Sequence, residues 1–301
     1  MDGIILVDKP AGISSAEVVR RIKSRVKPSR VGHLGTLDPI ATGLLPILVG
    51  EATKLAPFIE GGDKEYEGVI RLGAETDTLD REGKVVRSAE IPPLDQARLD
   101  EVAWQFTGKI TQTPPVFSAI KRAGVPLYRL ARRGGEVEPP APRAIIVREL
   151  RISAEHSDSL RFHIVCTPGT YLRSLARDVA TALETAGHLF ELRRLRSGTF
   201  TIDRAHQLDD VLVALDCDTV LKIIGLRESL PDIPEVFIDG PQERRLRNGD
   251  SRVLDGTVAG GWPFYKVVAQ EGRLIAIAKP TTRTTAVILR VLQPQTSRVS
   301  M

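Results

Sequence analysis

The chain opens on a short apolar run, Ile4 to Val7, that reads as a buried strand and is stopped by Lys9-Pro10-Ala11-Gly12. Ser14 and Glu17 then have the S-x-x-E spacing of a capping box. Behind them Val18, Val19, Ile22 and Val26 fall on one face, which predicts a helix. Strand-like runs follow at Leu45–Val49, Tyr66–Leu72, Ile145–Ile152 and Leu160–Cys166, and helical patterns at Ala52–Ile59, Leu94–Phe106 and Tyr171–Ala186. The spacing between strands is irregular and no βα unit repeats. An α+β fold with a mixed sheet is therefore expected, rather than a doubly wound one.

Two stretches break this pattern. From Gln112 to Arg143 the chain is rich in Pro, Gly and Arg, and Pro114, Pro115, Pro126, Pro139, Pro140 and Pro142 make it poor material for a helix or central strand. It reads as a long surface excursion, a kind of loop that is often functional. A linker-like break follows at Pro231-Asp232-Ile233-Pro234. Beyond it lie strand candidates around Lys266–Ala269, Arg273–Ala278 and Thr285–Leu292. The expected organisation is a large domain over 1–230 and a small β-rich one over 231–301.

Composition narrows the class. The 301 residues are 42% apolar, enough for a substantial core. There is no run of about 18 apolar residues and no basic segment before an apolar one at the start, so a cytoplasmic protein is expected. Cys166 and Cys217 have no CxxC partner and read as buried thiols, not as a disulfide or zinc framework. The net charge is only +4, but Lys121 to Arg151 holds eight basic residues against three acidic ones. That excess is either a phosphate-binding surface or a solvated face; charge alone does not choose.

The chemistry centres on GHLGTLDPIATGLLP, Gly32 to Pro46. Asp38-Pro39 fits a helix start, with Asp as N-cap and Pro at the first helical position. Against this, Gly43 and Pro46 leave little room for a helix worth capping, so a carboxylate held on a rigid loop is the other reading. Arg173 raises a related question. If Thr170 caps a helix beginning near Tyr171, Arg173 lies in its first turn, where the helix dipole disfavours a cation. That placement suggests either a specific anion partner or an ordinary solvent-facing arginine. Tyr66 alternates with Gly68, Ile70 and Leu72, as a core tyrosine would, and Gly68 would leave space for a ring beside it.

The fifteen residues from Gly32 to Pro46 closely resemble the signature of the TruB family of pseudouridine synthases, which make pseudouridine-55 in the T loop of tRNA. The similarity extends to Val7-Asp8-Lys9-Pro10-Ala11-Gly12, to Lys64-Glu65-Tyr66 and TDTLDREG (Thr76 to Gly83), and to Gly169-Thr170-Tyr171-Leu172-Arg173 and Leu192-Arg193-Arg194-Leu195. It implies a pseudouridine synthase fold with a mainly antiparallel central sheet, and isomerisation without metal or cofactor. It also implies Asp38 as nucleophile, Arg173 as its partner, and Tyr66 stacked on the target base and helping remove the C5 proton. Leu192 would be an apolar pocket wall, and His33 would fill the space left by a flipped base. Lys9 and Pro10 would mainly support the loop, Lys9 contacting RNA secondarily. The basic excursion would close on the tRNA T-arm through Lys121, Arg122, Arg129, Arg132 and Arg133. The segment from Pro231 to Gln293, with Arg247-Asn248-Gly249-Asp250, resembles a PUA-like RNA-binding domain. No membrane, obligatory protein or guide-RNA partner is implied. An N-glycosidase would need a second positioned carboxylate near Asp38. A noncatalytic RNA-binding protein would not need Asp38 at all.

Overall fold

The computed structural model describes the chain except residues 27–29, 119, 123, 128–137, 258–260, 283 and 294–301. Ten strands form one mixed sheet. Its main path runs His206–Gln207, Gly3–Lys9, Thr42–Val49, Gly187–Ser197, Lys64–Leu72, Ser159–Cys166, Arg143–His156 and Gly108–Gln112. Val31–His33 adds to Thr42–Val49, and Phe200–Thr201 to Gly187–Ser197. His206–Gln207 on Gly3–Lys9 and Thr42–Val49 on Gly187–Ser197 pair in parallel; the other pairings are antiparallel. The fold is the expected α+β class.

Alternation gives the sheet an apolar face, and helices Gln96–Gln105 and Leu172–Ala182 cover it. Leu99, Val102, Leu175 and Val179 share one core with Ile70, Ile152, Phe162 and Leu189. Burying each such side chain contributes about 1.5–3 kcal/mol. Helix Ser15–Lys23 brings Val18 and Ile22 into the same core.

Several expectations need correction. Ser14 accepts the Glu17 N–H at 3.1 Å, but Glu17 turns its own carboxylate to Arg20 and Arg21. The cap is thus one-sided. Ala52–Ile59 is a 3₁₀ segment over Gly50–Leu55 followed by a single α turn at Ala56–Ile59. Gly187–Ser197, which has no clean period in the sequence, is a central strand. Bulges between Leu189 and Glu191 and between Arg194 and Arg196 break its alternation. Cys166 is buried, and burial pushes its thiol up to about 11, whereas Cys217 is exposed.

A second, four-stranded sheet orders Glu235–Ile238, Tyr265–Ala269, Leu274–Pro280 and Ala286–Val291. Every residue of Tyr265–Ala269 is buried, because this strand is covered on both faces. Val267 packs with Val236, Leu246 and Ile275 in the sheet's own core. Val268 joins Leu274, Ile277 and Leu292 against Leu55 and Leu230. Phe58 and Phe264 meet edge to face there at 5.0 Å. No helix among the described residues is long and apolar enough to cross a membrane.

Candidate active site

The loop carrying Asp38 is pinned from below by the N-terminal segment. Ser15 Oγ accepts the Leu37 N–H at 2.8 Å and donates to the Leu37 carbonyl at 3.0 Å. Gly12 N–H donates to Pro39 O at 2.8 Å, and Ala41 N–H to Asp38 O at 3.1 Å. Leu37, Ile40 and Ala41 are buried, so the loop is a packed object with the Asp38 side chain one-third exposed. No helix follows Asp38; the chain passes through a turn into Thr42–Val49. Gly43 has φ +97°, and a Cβ there would stand 2.4 Å from the Arg194 carbonyl. The strand junction beside Asp38 therefore requires glycine.

Arg173 is the second residue of helix Leu172–Ala182, and it does have an anion partner. Its Nε donates to Asp38 Oδ2 at 2.8 Å, and Nη2 reaches Asp38 Oδ1 at 3.4 Å. The remaining donors go to the carbonyls of Thr78 and Phe117, both at 2.9 Å. The guanidinium is buried, with four of its five N–H groups engaged. A second carboxylate, Asp80, lies 3.8 Å from the same Nε. Sequence reasoning had placed no second acid here. Asp80 accepts from the Thr78 hydroxyl at 2.7 Å and the Glu82 N–H at 3.1 Å. It therefore builds the TDTLDREG turn that presents the Thr78 carbonyl.

Thr170 does not cap the helix; its hydroxyl donates back to Thr167 O, and the N-cap residue is Tyr171. Gln112 supplies what is missing. Its amide accepts the Tyr171 N–H at 2.8 Å and donates to the Tyr171 carbonyl at 3.1 Å. Ser174 Oγ donates to Thr113 O at 2.8 Å. Arg143 stacks over the Tyr171 ring and donates to the Gly169 carbonyl. Both roots of the Gln112–Arg143 excursion thus grip the start of the helix that carries Arg173. Residue types gave no sign of this.

Tyr66 is buried on Lys64–Leu72, facing Arg194 across the strand pair, and burial pushes its phenol up. Gly68 does not leave free space. A Cβ there would meet the Glu191 carbonyl at 2.4 Å and the Phe162 ring at 2.7 Å, so the glycine admits Phe162 to the core. Leu192 pairs with Gly68 and, with Ile40 and Thr42, lines a cleft of about 310 Å³ that also touches Glu67, Arg81 and Arg193. Lys9 is wholly buried. Its ammonium donates to the carbonyls of Pro10 (2.8 Å), Ile13 (2.7 Å) and Pro39 (3.4 Å), which leaves it no face for RNA. Desolvation pulls its pKa down to about 8, against the attraction of Asp38. His33 is half-buried on Val31–His33, and burial followed by Arg194 lowers its pKa. Arg129, Arg132 and Arg133 lie outside the described residues, as do the side chains of Lys121 and Arg122.

Comparison with known proteins gives this geometry a family. The N-terminal domain model of TruB family pseudouridylate synthases matches residues 23–172. The C-terminal domain model of tRNA pseudouridylate synthase B matches residues 173–223. The tRNA pseudouridine synthase B of Dechloromonas aromatica is 37% identical over 280 residues, covering 93% of this chain and 92% of that one. The chain belongs to the TruB family. The Francisella philomiragia protein of the same name is 42% identical over 273 residues, covering 86% and 87% of the two chains. The solved Cbf5-Nop10-Gar1 complex matches at TM-score 0.71 and 24% identity, over 97% of this chain and 85% of that one, a likeness of fold. TruB-family chains are pseudouridine synthases, and this one is accordingly an isomerase. The two TruB models meet between Leu172 and Arg173, inside one helix and one sheet. Their boundary is not a break in the fold.

Proposed function

We propose that this chain converts uridine to pseudouridine at position 55 in the T loop of tRNA, with Asp38 as nucleophile. The observation that carries the reading is the Asp38–Arg173 pair at 2.8 Å, on a loop that Ser15, Gly12 and Lys9 hold rigid. In the reaction the N1–C1′ glycosidic bond breaks and a C5–C1′ bond forms; N1 gains a proton and C5 loses one. Atoms balance without oxidant or cosubstrate. Asp38 carries the attack, at the ribose C1′ or uracil C6, or assists a glycal route. Arg173 fixes the carboxylate's orientation and balances its charge. Tyr66 would stack on the base and assist at C5, and Leu192 would wall the pocket.

The names of the curated relatives support tRNA as substrate. A chain of this kind would act in the cytoplasm, on a T-arm stem-loop, with no protein or guide-RNA partner. Residues 231–301 would serve as a small PUA-like RNA-binding domain. Asp80 does not favour a hydrolase, because its Oδ1 is committed to the Thr78–Glu82 turn and its Oδ2 faces the Arg173 guanidinium at 3.8 Å. The test is tritium release from a stem-loop labelled at uridine C5, using purified protein alone. Wild type should release tritium and leave the RNA mass unchanged apart from the label. Asp38→Asn should bind the stem-loop and release none. Free uracil in the products would identify a hydrolase instead, and equal release from both proteins would remove Asp38 from its role.

A further inference from the structure

Four cationic side chains are buried among the described residues: Lys9, Arg173, Arg194 and Lys266. Three have their charge or donors answered. Lys9 has three carbonyls, Arg173 has Asp38 and two carbonyls, and Lys266 pairs with Glu235 at 2.9 Å. Arg194 differs. It is wholly buried, donates Nε to Leu44 O at 2.7 Å and Nη2 to Gly35 O at 3.1 Å, and has the Tyr66 phenol close by, while its buried Nη1 makes no hydrogen bond of ordinary geometry. Among the described residues no carboxylate lies within ion-pair distance of it.

Lys64, the half-buried first residue of Lys64–Leu72, is also without an ion pair among the described residues. Its Nζ lies 2.7 Å, and Arg194 Nη1 3.2 Å, from the point where a Gly35 side chain would begin. Both cations therefore converge on the bare backbone of Gly35. His33, two residues before it, has its Nδ1 buried and unpartnered. Burial first and Arg194 second lower the pKa of both Lys64 and His33, with Glu60 opposing in each case.

A buried donor left without an acceptor is costly, and like charges held close together add to that cost. Glu60 opposes it in part, but among the described residues no carboxylate closes an ion pair with Lys64 or Arg194. What does match the arrangement is a compact anion with several acceptor oxygens, because it would answer the Arg194 Nη1–H, the ammonium and His33 in its Nδ1–H tautomer together. The loop running on from Gly35 reaches Asp38 three residues later. A polyanionic strand fixed at this point would be fixed relative to the carboxylate. We infer that Lys64, Arg194 and His33 form a binding site for one backbone phosphate of the substrate RNA, beside the Asp38 loop. This rests on the isomerase reading and adds a positioning contact to it. Gly35 belongs to the site because any side chain there would occupy the approach to both nitrogens.

The test neutralises the T-arm stem-loop one phosphate at a time with methylphosphonates and measures affinity for wild type, Lys64→Gln and Lys64→Arg. At one position neutralisation should weaken binding to wild type about tenfold and have no further effect on Lys64→Gln. Lys64→Arg should behave like wild type at that position. The slope of log affinity against log salt should be shallower by about 0.7 for Lys64→Gln. Equal losses for wild type and Lys64→Gln at every position overturn the site, as does a wild type indifferent to every single phosphate. Tritium release by wild type from the unmodified stem-loop separates two failures. Release without a phosphate signature removes this site and leaves the isomerase; no release removes the isomerase reading itself.

Discussion

Arg173 makes directed contacts on three sides, to Asp38, to the Thr78 carbonyl and to the Phe117 carbonyl. A lysine is a point charge on a flexible stem and cannot reproduce that planar fork. Arg173→Lys should therefore lower kcat about 10²–10³-fold while leaving the KM for a T-arm stem-loop nearly unchanged, read by single-turnover tritium release. Turnover within threefold of wild type would show that the fork is not needed. Lys9 gives a prediction of a different kind. Its pKa falls from 10.5 to about 8 in the folded chain, so between those values the unfolded chain holds more protons. Stability from this group rises with pH through that window, and Lys9→Met should flatten the rise in urea melts taken from pH 7 to 10.5. At this scale the sequence named Asp38 and Arg173 through side chains that a motif can specify. It was silent on the acceptors of Thr78 and Phe117, because a backbone carbonyl is the same in every residue. Gly68 misled for a related reason. An absent side chain signals close approach without saying by what, and here the approaching group is Phe162.

The elements most legible in the chain were those whose periodicity survives in the fold, such as Lys64–Leu72 and Ser159–Cys166. Gly187–Ser197 was not, although it lies at the centre of the sheet. Two bulges shift its alternation, and its buried Arg194 occupies a core position with a charge. The start of Leu172–Ala182 was misplaced by one residue because its cap comes from Gln112, distant in sequence. That long-range cap is testable. Gln112→Leu removes an acceptor and a donor from Tyr171, leaves its N–H unmet while its carbonyl keeps the Leu175 N–H, and should cost about 1–3 kcal/mol of stability. The helix start positions Arg173, so kcat should also fall, about tenfold, with a smaller change in KM. Gln112→Glu keeps the acceptor for the Tyr171 N–H and loses the donor, so its kcat should lie between the two. If Gln112→Leu lost stability but kept full kcat, the residue would be a structural cap without influence on Arg173.

At the scale of the whole chain, the turn at Pro231–Pro234 could be read from its prolines, but the packing of the segments on either side of it could not. Leu55, Leu230, Val268 and Leu274 look like ordinary core residues in sequence, and only the fold brings them to one seam. The polar edge of that seam is the cluster of Arg227, Glu235 and Lys266. Glu235 meets Arg227 at 2.6 Å and Lys266 at 2.9 Å, and Lys266 is almost wholly buried. The Arg227 guanidinium holds the Glu235 carboxyl down at about 2, with Lys266 adding to the effect, against the opposing pull of burial. A depressed carboxyl contributes stability that is present above its unfolded pKa, about 4.5, and lost as pH falls toward 2. Thermal melts from pH 6 to 2 should therefore show a fall in Tm for wild type that is smaller in Glu235→Gln. At neutral pH the same variant leaves Lys266 facing only the Arg227 carbonyl at 3.5 Å, and should be less stable by about 1–3 kcal/mol. The two curves should converge in acid, where wild type has protonated the carboxylate that the variant lacks. Parallel curves offset by a constant Tm would mean that Glu235 is not the titrating group of the seam.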